Sequence, residues 1–231
     1  MKISVCIPTY EMGGKGVEFL EQSFCGLEEQ RLKDFEIVIS DHSKDDSIKI
    51  FCESVVKKSS MDIKYFRNTK RRGSSSANIN NAIKFASGEV IKILFQDDYV
   101  CDTDCLKLLY ERFKNPAVNW VVNGTVHTSD AIHFFNPMVP EYNDNIYLGN
   151  NTISSPSVLA IRNKDVLEFD ESLSWLMDVD YYKRLFDKYG LPEIVENILV
   201  VNRLWDGQIS TSQITQDIID KEVAYMRRKH S

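Results

Sequence analysis

The chain has 231 residues, 43% of them hydrophobic and 11% aromatic, enough to bury one sizeable core near the upper end of ordinary single-domain size. Its 28 Lys and Arg against 34 Asp and Glu give a formal charge of −6, which excludes the broad basic footprint of a nucleic-acid binder. The apolar stretch opening at Ile3 is interrupted at Pro8, too early for a signal peptide or a spanning helix, and no other run is long enough to cross a bilayer. The expectation is one domain over residues 1–231. The five cysteines (Cys6, Cys25, Cys52, Cys101, Cys105) are odd in number, form no CxxC pair and mostly lie in apolar segments, which points to a reducing, cytoplasmic compartment.

In chain order, Ile3 to Ile7, Glu36 to Ile39, Ile63 to Phe66 and Val90 to Phe95 read as β-branched strands bounded by turn residues. A helix over 15–31 follows the first. Ile48, Phe51, Cys52, Val55 and Val56 trace one helix face, Ile79, Ala82, Ile83 and Ala86 a second, and Leu106, Leu109, Tyr110 and Phe113 a third. This βαβαβαβ order predicts an α/β fold with a mostly parallel sheet flanked by helices. Beyond residue 100 the pattern becomes mixed, with strands at Trp120 to Val126, Ile132 to Phe135, Val158 to Ile161 and Glu193 to Val201. Helices are expected over 178–189 and 214–229, the latter ending in Arg227, Arg228 and Lys229, cations that suit a helix C-terminus; this basic end also leaves transient membrane-surface docking open.

Ligands of an open parallel sheet bind beyond the carboxyl ends of its strands. The residues that follow the strands are Pro8-Thr9-Tyr10-Glu11, Asp41-His42-Ser43-Lys44-Asp45-Asp46 and Gln96-Asp97-Asp98-Tyr99. Asp97 and Asp98 leave a buried strand as a carboxylate pair, which suits a hard divalent cation (Mn²⁺ or Mg²⁺) and equally suits capping of the helix near Asp102. Asp178 and Asp180 begin a helix, where acids also complement the dipole. Gly13, Gly14 and Gly16 match neither GxGxxG nor GxxxxGK[ST] and read as a flexible loop. His127 and His133 lack metal-ligand spacing and read as structural or surface residues.

Taken in order, these motifs resemble the family 2 glycosyltransferases of the GT-A fold. Ile3-Ser-Val-Cys-Ile-Pro-Thr-Tyr-Glu11 resembles the family's first strand and turn. Glu36-Ile-Val-Ile-Ser-Asp-His-Ser-Lys-Asp-Asp46 is similar to EIIVVDDGSTDD, with Asp41 on an acidic position. The segment from Gly73 to Asn81 with Ala86-Ser-Gly-Glu89 is similar to the helix before the fourth strand, Ile93-Leu-Phe-Gln-Asp-Asp98 to the diphosphate and metal motif, Leu176-Met-Asp-Val-Asp-Tyr-Tyr-Lys-Arg-Leu185 to the GEDxDLxxRL helix, and Arg203-Leu-Trp-Asp-Gly-Gln-Ile-Ser210 to RxHxxxxS. The sequence departs from these patterns at Phe95, Ala77, Met177 and Trp205, with Lys70, Arg71 or Arg72 available to replace the cation missing at Ala77.

The resemblance implies a nucleotide-sugar-binding half (1–100), an acceptor-binding half (101–231), and inverting transfer of a sugar from a nucleoside-diphosphate donor to a carbohydrate or glycoconjugate hydroxyl, as in polysaccharide synthesis. It makes Asp178 the base; Pro8, Thr9, Tyr10, Glu11, Asp41, Asn78 and Asp97 donor contacts; and Asp97 with Asp98 the metal ligands. The alternatives are a catalytically silent nucleotide-sugar binder and a sugar-phosphate nucleotidyltransferase, which begins with a Gly-rich basic loop that this chain lacks.

Overall fold

The computed structural model describes residues 1–212 and 214–230, and of Ile209 and Ser210 only the backbone. The elements are β1 (Ile3–Thr9), α1 (Gly16–Glu28), β2 (Phe35–Asp41), α2 (Ser47–Val56), β3 (Asp62–Arg67), α3 (Ser75–Lys84), β4 (Val90–Ile93), β5 (Tyr99–Val100) and α4 (Cys105–Phe113). They continue with β6 (Trp120–Thr128), β7 (Phe134–Met138), β8 (Leu159–Arg162), α5 (Met177–Tyr189), β9 (Glu193–Arg203), α6 (Ile209–Ser212) and α7 (Gln216–Lys229).

One sheet runs β3-β2-β1-β4-β8-β6-β9-β5, with β7 also on β6. Its first four strands are parallel, as the alternating pattern predicts. From β4 onward the pairing is mixed: β4–β8, β8–β6, β6–β7 and β5–β9 are antiparallel and β6–β9 is parallel. Every residue of β1 and β2 is buried, because helices cover both faces there.

The structure departs from the sequence reading at three places. β4 stops at Ile93, since the Phe95 N–H turns away to the Ser157 hydroxyl at 2.9 Å, and the chain then forms the two-residue β5, too short to leave a periodic signal. The strand expected from Ile132 begins instead at Phe134. Asp130 Oδ1 accepts the N–H groups of Ile132 and His133 at 2.9 and 2.8 Å, holding those residues in a turn, while Pro137 sits in the new strand. An internal proline is tolerated at a sheet margin, and it disguised the strand in the sequence. Finally, the Gly13–Gly16 segment is tightly held. Met12–Gly14 form a 3₁₀ turn, and a Cβ on Gly16 would lie 2.4 Å from the Tyr10 carbonyl oxygen.

The basic end of α7 is turned in part toward the protein: Lys229 meets Asp170 at 2.6 Å and Asp180 at 2.7 Å. Among the described residues no helix is long and apolar enough to cross a membrane.

Because the atom opposing a Gly16 side chain is backbone, Gly16→Ala must push the Tyr10 turn aside. Overpacking of this kind costs about 1–3 kcal/mol. The expected result in calorimetry is a lower Tm by roughly 2–4 °C per kcal/mol, together with weakened ligand binding at Tyr10. An unchanged Tm would mean that the turn yields freely.

Candidate active site

A cleft of about 760 Å³ opens at the carboxyl ends of the parallel strands. One wall is built from Pro8, Tyr10 and Glu11 after β1 and from His42 and Lys44 after β2; the floor is Gln96, Asp97 and Asp98. Facing residues come from α5 (Met177, Asp178) and from the loop that ends in Trp175. Gln96 joins wall to floor: its Oε1 accepts the Tyr10 N–H at 2.8 Å and its Nε2 donates to the Gly16 carbonyl at 2.7 Å. The Tyr10 phenol is pushed up to about 12 by burial and by the nearby carboxylates of Asp97 and Glu11.

The adjacent aspartates have different environments. Asp98 is 4% exposed, and β9 uses both of its oxygens: Oδ1 accepts the Arg203 N–H at 3.0 Å, and Oδ2 accepts Asn202 Nδ2 at 2.8 Å as well as Ser155 Oγ at 3.2 Å. Asp97 is half-buried and its Oδ2 accepts the Trp205 indole N–H at 3.1 Å. Burial raises the carboxyl pKa of both, and the charge of Asp97 helps push Asp98 up to about 7.

Asp178 occupies the first turn of α5. The Val179 N–H donates to its Oδ1 and Asn151 Nδ2 to its Oδ2, each at 2.7 Å. Burial pushes its pKa up to about 6, with the negative charge of Glu222 adding to the rise and those two hydrogen bonds opposing it. A carboxylate poised near neutrality inside a cleft has the strength a general base needs. Asp180, two residues further along, is fully buried and bound by Arg184, Lys229 and His230.

Of the residues singled out in the sequence, the cleft brings together Pro8, Tyr10, Glu11, Asn78, Asp97, Asp98 and Asp178. Thr9 and Asp41 are not among its lining and are fully buried. Asp41 Oδ1 accepts the Ser43 N–H and hydroxyl at 2.8 and 2.5 Å, and its Oδ2 takes Tyr65 OH at 2.6 Å with Arg67 at 3.4 Å. Its charge is therefore spent inside the protein, and His42 is the neighbour that faces the cleft. Asn78 lines the cleft while its side chain latches β1 to β2, donating to the Thr9 carbonyl at 3.1 Å and accepting from the Ser40 hydroxyl at 2.7 Å.

Of the three cations after β3, Arg72 lines the cleft, whereas Arg71 pairs with Glu171 at 2.7 Å. His127, which the sequence marked as a structural or surface residue, also lines the cleft and stacks on Phe135. Asn151 and Trp175 gave no sequence signal, because only the fold carries their loops to α5. The side chain of Ser210, the last position of the RxHxxxxS-like segment, lies outside the described residues.

A model of the family described as Glycosyl transferase family 2 matches residues 4–169. The chain belongs to that family. Its fold is GT-A: S. aureus TarS (residues 1–349) in complex with UDP-GlcNAc superposes with a TM-score of 0.70 at 19% identity, over 98% of this chain and 66% of that one. The mannosyltransferase PcManGT from Pyrobaculum calidifontis, in complex with GDP-Man and Mn²⁺, gives 0.63 at 16% identity, over 87% and 56%. A curated relative, the GalNAc(5)-diNAcBac-PP-undecaprenol beta-1,3-glucosyltransferase of Campylobacter jejuni, is 33% identical over 97 residues, 42% of this chain and 30% of that protein. The chain thus spans less than a third of the length of that relative.

The paired aspartates give the ligand-free protein a definite pH response. Folded-state pKa values lie above the unfolded carboxylate value, so the folded protein holds more protons than the unfolded chain between about pH 4 and 7. Stability therefore falls as pH rises through that window. Asp97→Asn removes the like charge beside Asp98. The expected outcome is a Tm higher than wild type at pH 8 without ligand, and a shallower decline of Tm from pH 5 to 8. A lower Tm at pH 8 would show that the Trp205 hydrogen bond outweighs the repulsion.

Proposed function

We propose that the chain moves a sugar from a nucleoside-diphosphate donor to an acceptor hydroxyl, with inversion at the anomeric carbon. The observation that carries this reading is the single cleft that joins the β1 and β2 turns and Asp97 to Asp178, a carboxylate with its pKa near 6. TarS is recorded with UDP-GlcNAc and PcManGT with GDP-Man, which supports a nucleotide sugar as donor. The Campylobacter relative's name includes a polyprenyl diphosphate oligosaccharide, which supports an acceptor in glycoconjugate or polysaccharide synthesis. The five unpaired thiols fit a cytoplasmic enzyme.

In this mechanism Pro8, Tyr10, Glu11 and His42 surround the nucleoside, and Arg72 offsets the diphosphate charge. Thr9, Asn78 and Asp41 act from behind, by holding the two turns together. Asp178 accepts the proton of the acceptor hydroxyl while its oxygen attacks the anomeric carbon and the bond to the diphosphate breaks. Backbone and Asn151 hydrogen bonds keep the carboxylate aimed during that step.

A divalent cation fits this site in one mode. Asp98 has both oxygens occupied by protein donors, and among the described residues no three His, Cys, Asp or Glu side chains gather to hold a metal. Asp97 would hold Mn²⁺ or Mg²⁺ together with oxygens of the donor diphosphate, the mode Mg²⁺ favours in phosphate sites. Such a cation supplies neutralisation of charge on the departing nucleoside diphosphate. Asp98 supports the loop in place of ligating.

Thermal shift with UDP, GDP, UDP-GlcNAc and GDP-mannose should find one base series that raises Tm, and raises it further with Mn²⁺ than with EDTA. Equal stabilisation in EDTA would remove the cation from the mechanism. With the donor so chosen, Asp178→Asn should lower transfer or donor hydrolysis roughly 10²- to 10⁴-fold and leave donor affinity nearly unchanged. Near-native turnover in that variant would refute the base assignment, and wild-type binding without turnover on any acceptor would favour a silent binder.

A further inference from the structure

α7 reaches the turn that opens the catalytic wall through Glu222. Glu222, only 7% exposed, accepts three consecutive backbone N–H groups just before α5: Ser174 at 2.7 Å on one oxygen, Trp175 at 2.9 Å and Leu176 at 2.8 Å on the other. Leu176 is the N-cap of α5 and makes no side-chain cap bond of its own. Glu222 thus satisfies the N–H of the N-cap and of the two residues before it, an anion from another helix in the polarity that the helix dipole favours. The same turn contributes Ser174, Trp175, Met177 and Asp178 to the cleft.

We propose that Glu222 is a positioning residue for the transfer reaction: from α7 it locks the 174–176 turn and thereby aims Asp178 into the cleft. This rests on reading Asp178 as the base. The rest of α7 is built to keep Glu222 in place. Met226 is fully buried four residues on, Tyr225 OH donates to Asp170 at 2.7 Å, Lys229 bridges Asp170 and Asp180, and His230 meets Asp180 at 2.9 Å. Glu222 also has an electrostatic effect, because its negative charge disfavours ionisation of Asp178 and so strengthens it as a base. The other groups facing Asp178 are Asn151, which is neutral, and Tyr182 on α5; the charges of Asp180, Arg184, Lys229 and His230 form a separate network between α5 and α7.

The test follows Asp178 directly by ¹³C NMR of its side-chain carboxyl in the intact protein, with Asp178→Asn assigning the resonance. The wild-type group should titrate well above an ordinary aspartate. In Glu222→Gln the midpoint should fall by about half a pH unit or more, and hydrolysis of the donor chosen from UDP-GlcNAc and GDP-mannose should drop at least tenfold with donor KM retained. Glu222→Asp keeps the charge and withdraws it by one methylene, so it should leave the midpoint near wild type while turnover falls. If Glu222→Gln does not fold, that variant alone carries the test. A native midpoint and native turnover in Glu222→Gln, or loss of Tm alone in Glu222→Asp, would reduce Glu222 to a structural cap. Should Asp178→Asn itself stay active, the base reading fails independently of how Glu222 behaves.

Discussion

The site depends first on the capture of Asp98 by β9. A carboxylate that leaves the parallel half of the sheet is buried against the Arg203 N–H and the Asn202 amide, residues more than a hundred positions later. Such a group is costly to bury unless its acceptor capacity is filled. Filling it fixes the path of the Gln96–Asp98 loop, and through Gln96 the position of the β1 turn. The surroundings supply a compensating cation as well. Lys92 is fully buried on β4, donates to Asn123 Oδ1 at 3.3 Å and to the Ser157 carbonyl, and is drawn up by Asp98 against the burial that pushes it down to about 8.

Because the neighbour of Asp97 is committed in this way, the two acids divide their work. Asp98 fastens the two halves of the sheet, and Asp97 keeps a half-buried carboxylate in the cleft. The pair sits next to a phenol, Tyr10, whose pKa is raised by burial and then by the charges of Asp97 and Glu11, so the floor is electrostatically strained when nothing cationic is bound. Strain of this kind is common at functional sites, where groups are held for a ligand and not for stability.

The parallel half was legible because its strands are continuous apolar runs and its acids fall at their ends, where the geometry of any such sheet places ligands. Asp97, Asp98 and Glu11 could therefore be located without coordinates. Asp41 could not be assigned a direction. It obeys the same strand-end rule, but Tyr65 and Arg67, which turn it inward, stand on the neighbouring strand, and a single strand's pattern says nothing about the next strand's side chains. The mixed half was harder still. β5 has two residues, β7 contains a proline, and the placement of Asn151, Trp175 and Glu222 around Asp178 depends on long-range packing that leaves no local periodicity.

The charges of the cleft give its chemistry a direction. Glu11, Asp97, Asp98 and Asp178 line it against Lys44, Arg72 and Arg203. Arg203 is buried and occupied, its guanidinium donating to the Asp97 carbonyl at 3.3 Å and lying over Phe19, so it is not free to follow a ligand. An anionic diphosphate entering here meets Arg72 and the N-terminus of α3, whose Ser74 caps the Ala77 N–H at the cleft edge. It also meets more carboxylates than mobile cations. Partial protonation of Asp98 reduces that excess near neutral pH, and a divalent cation shared between Asp97 and the phosphates would remove more of it. On the proposed reading of Asp178 as the base, burial first and the charge of Glu222 second raise its pKa to about 6, and Glu222 also holds the turn that begins its helix.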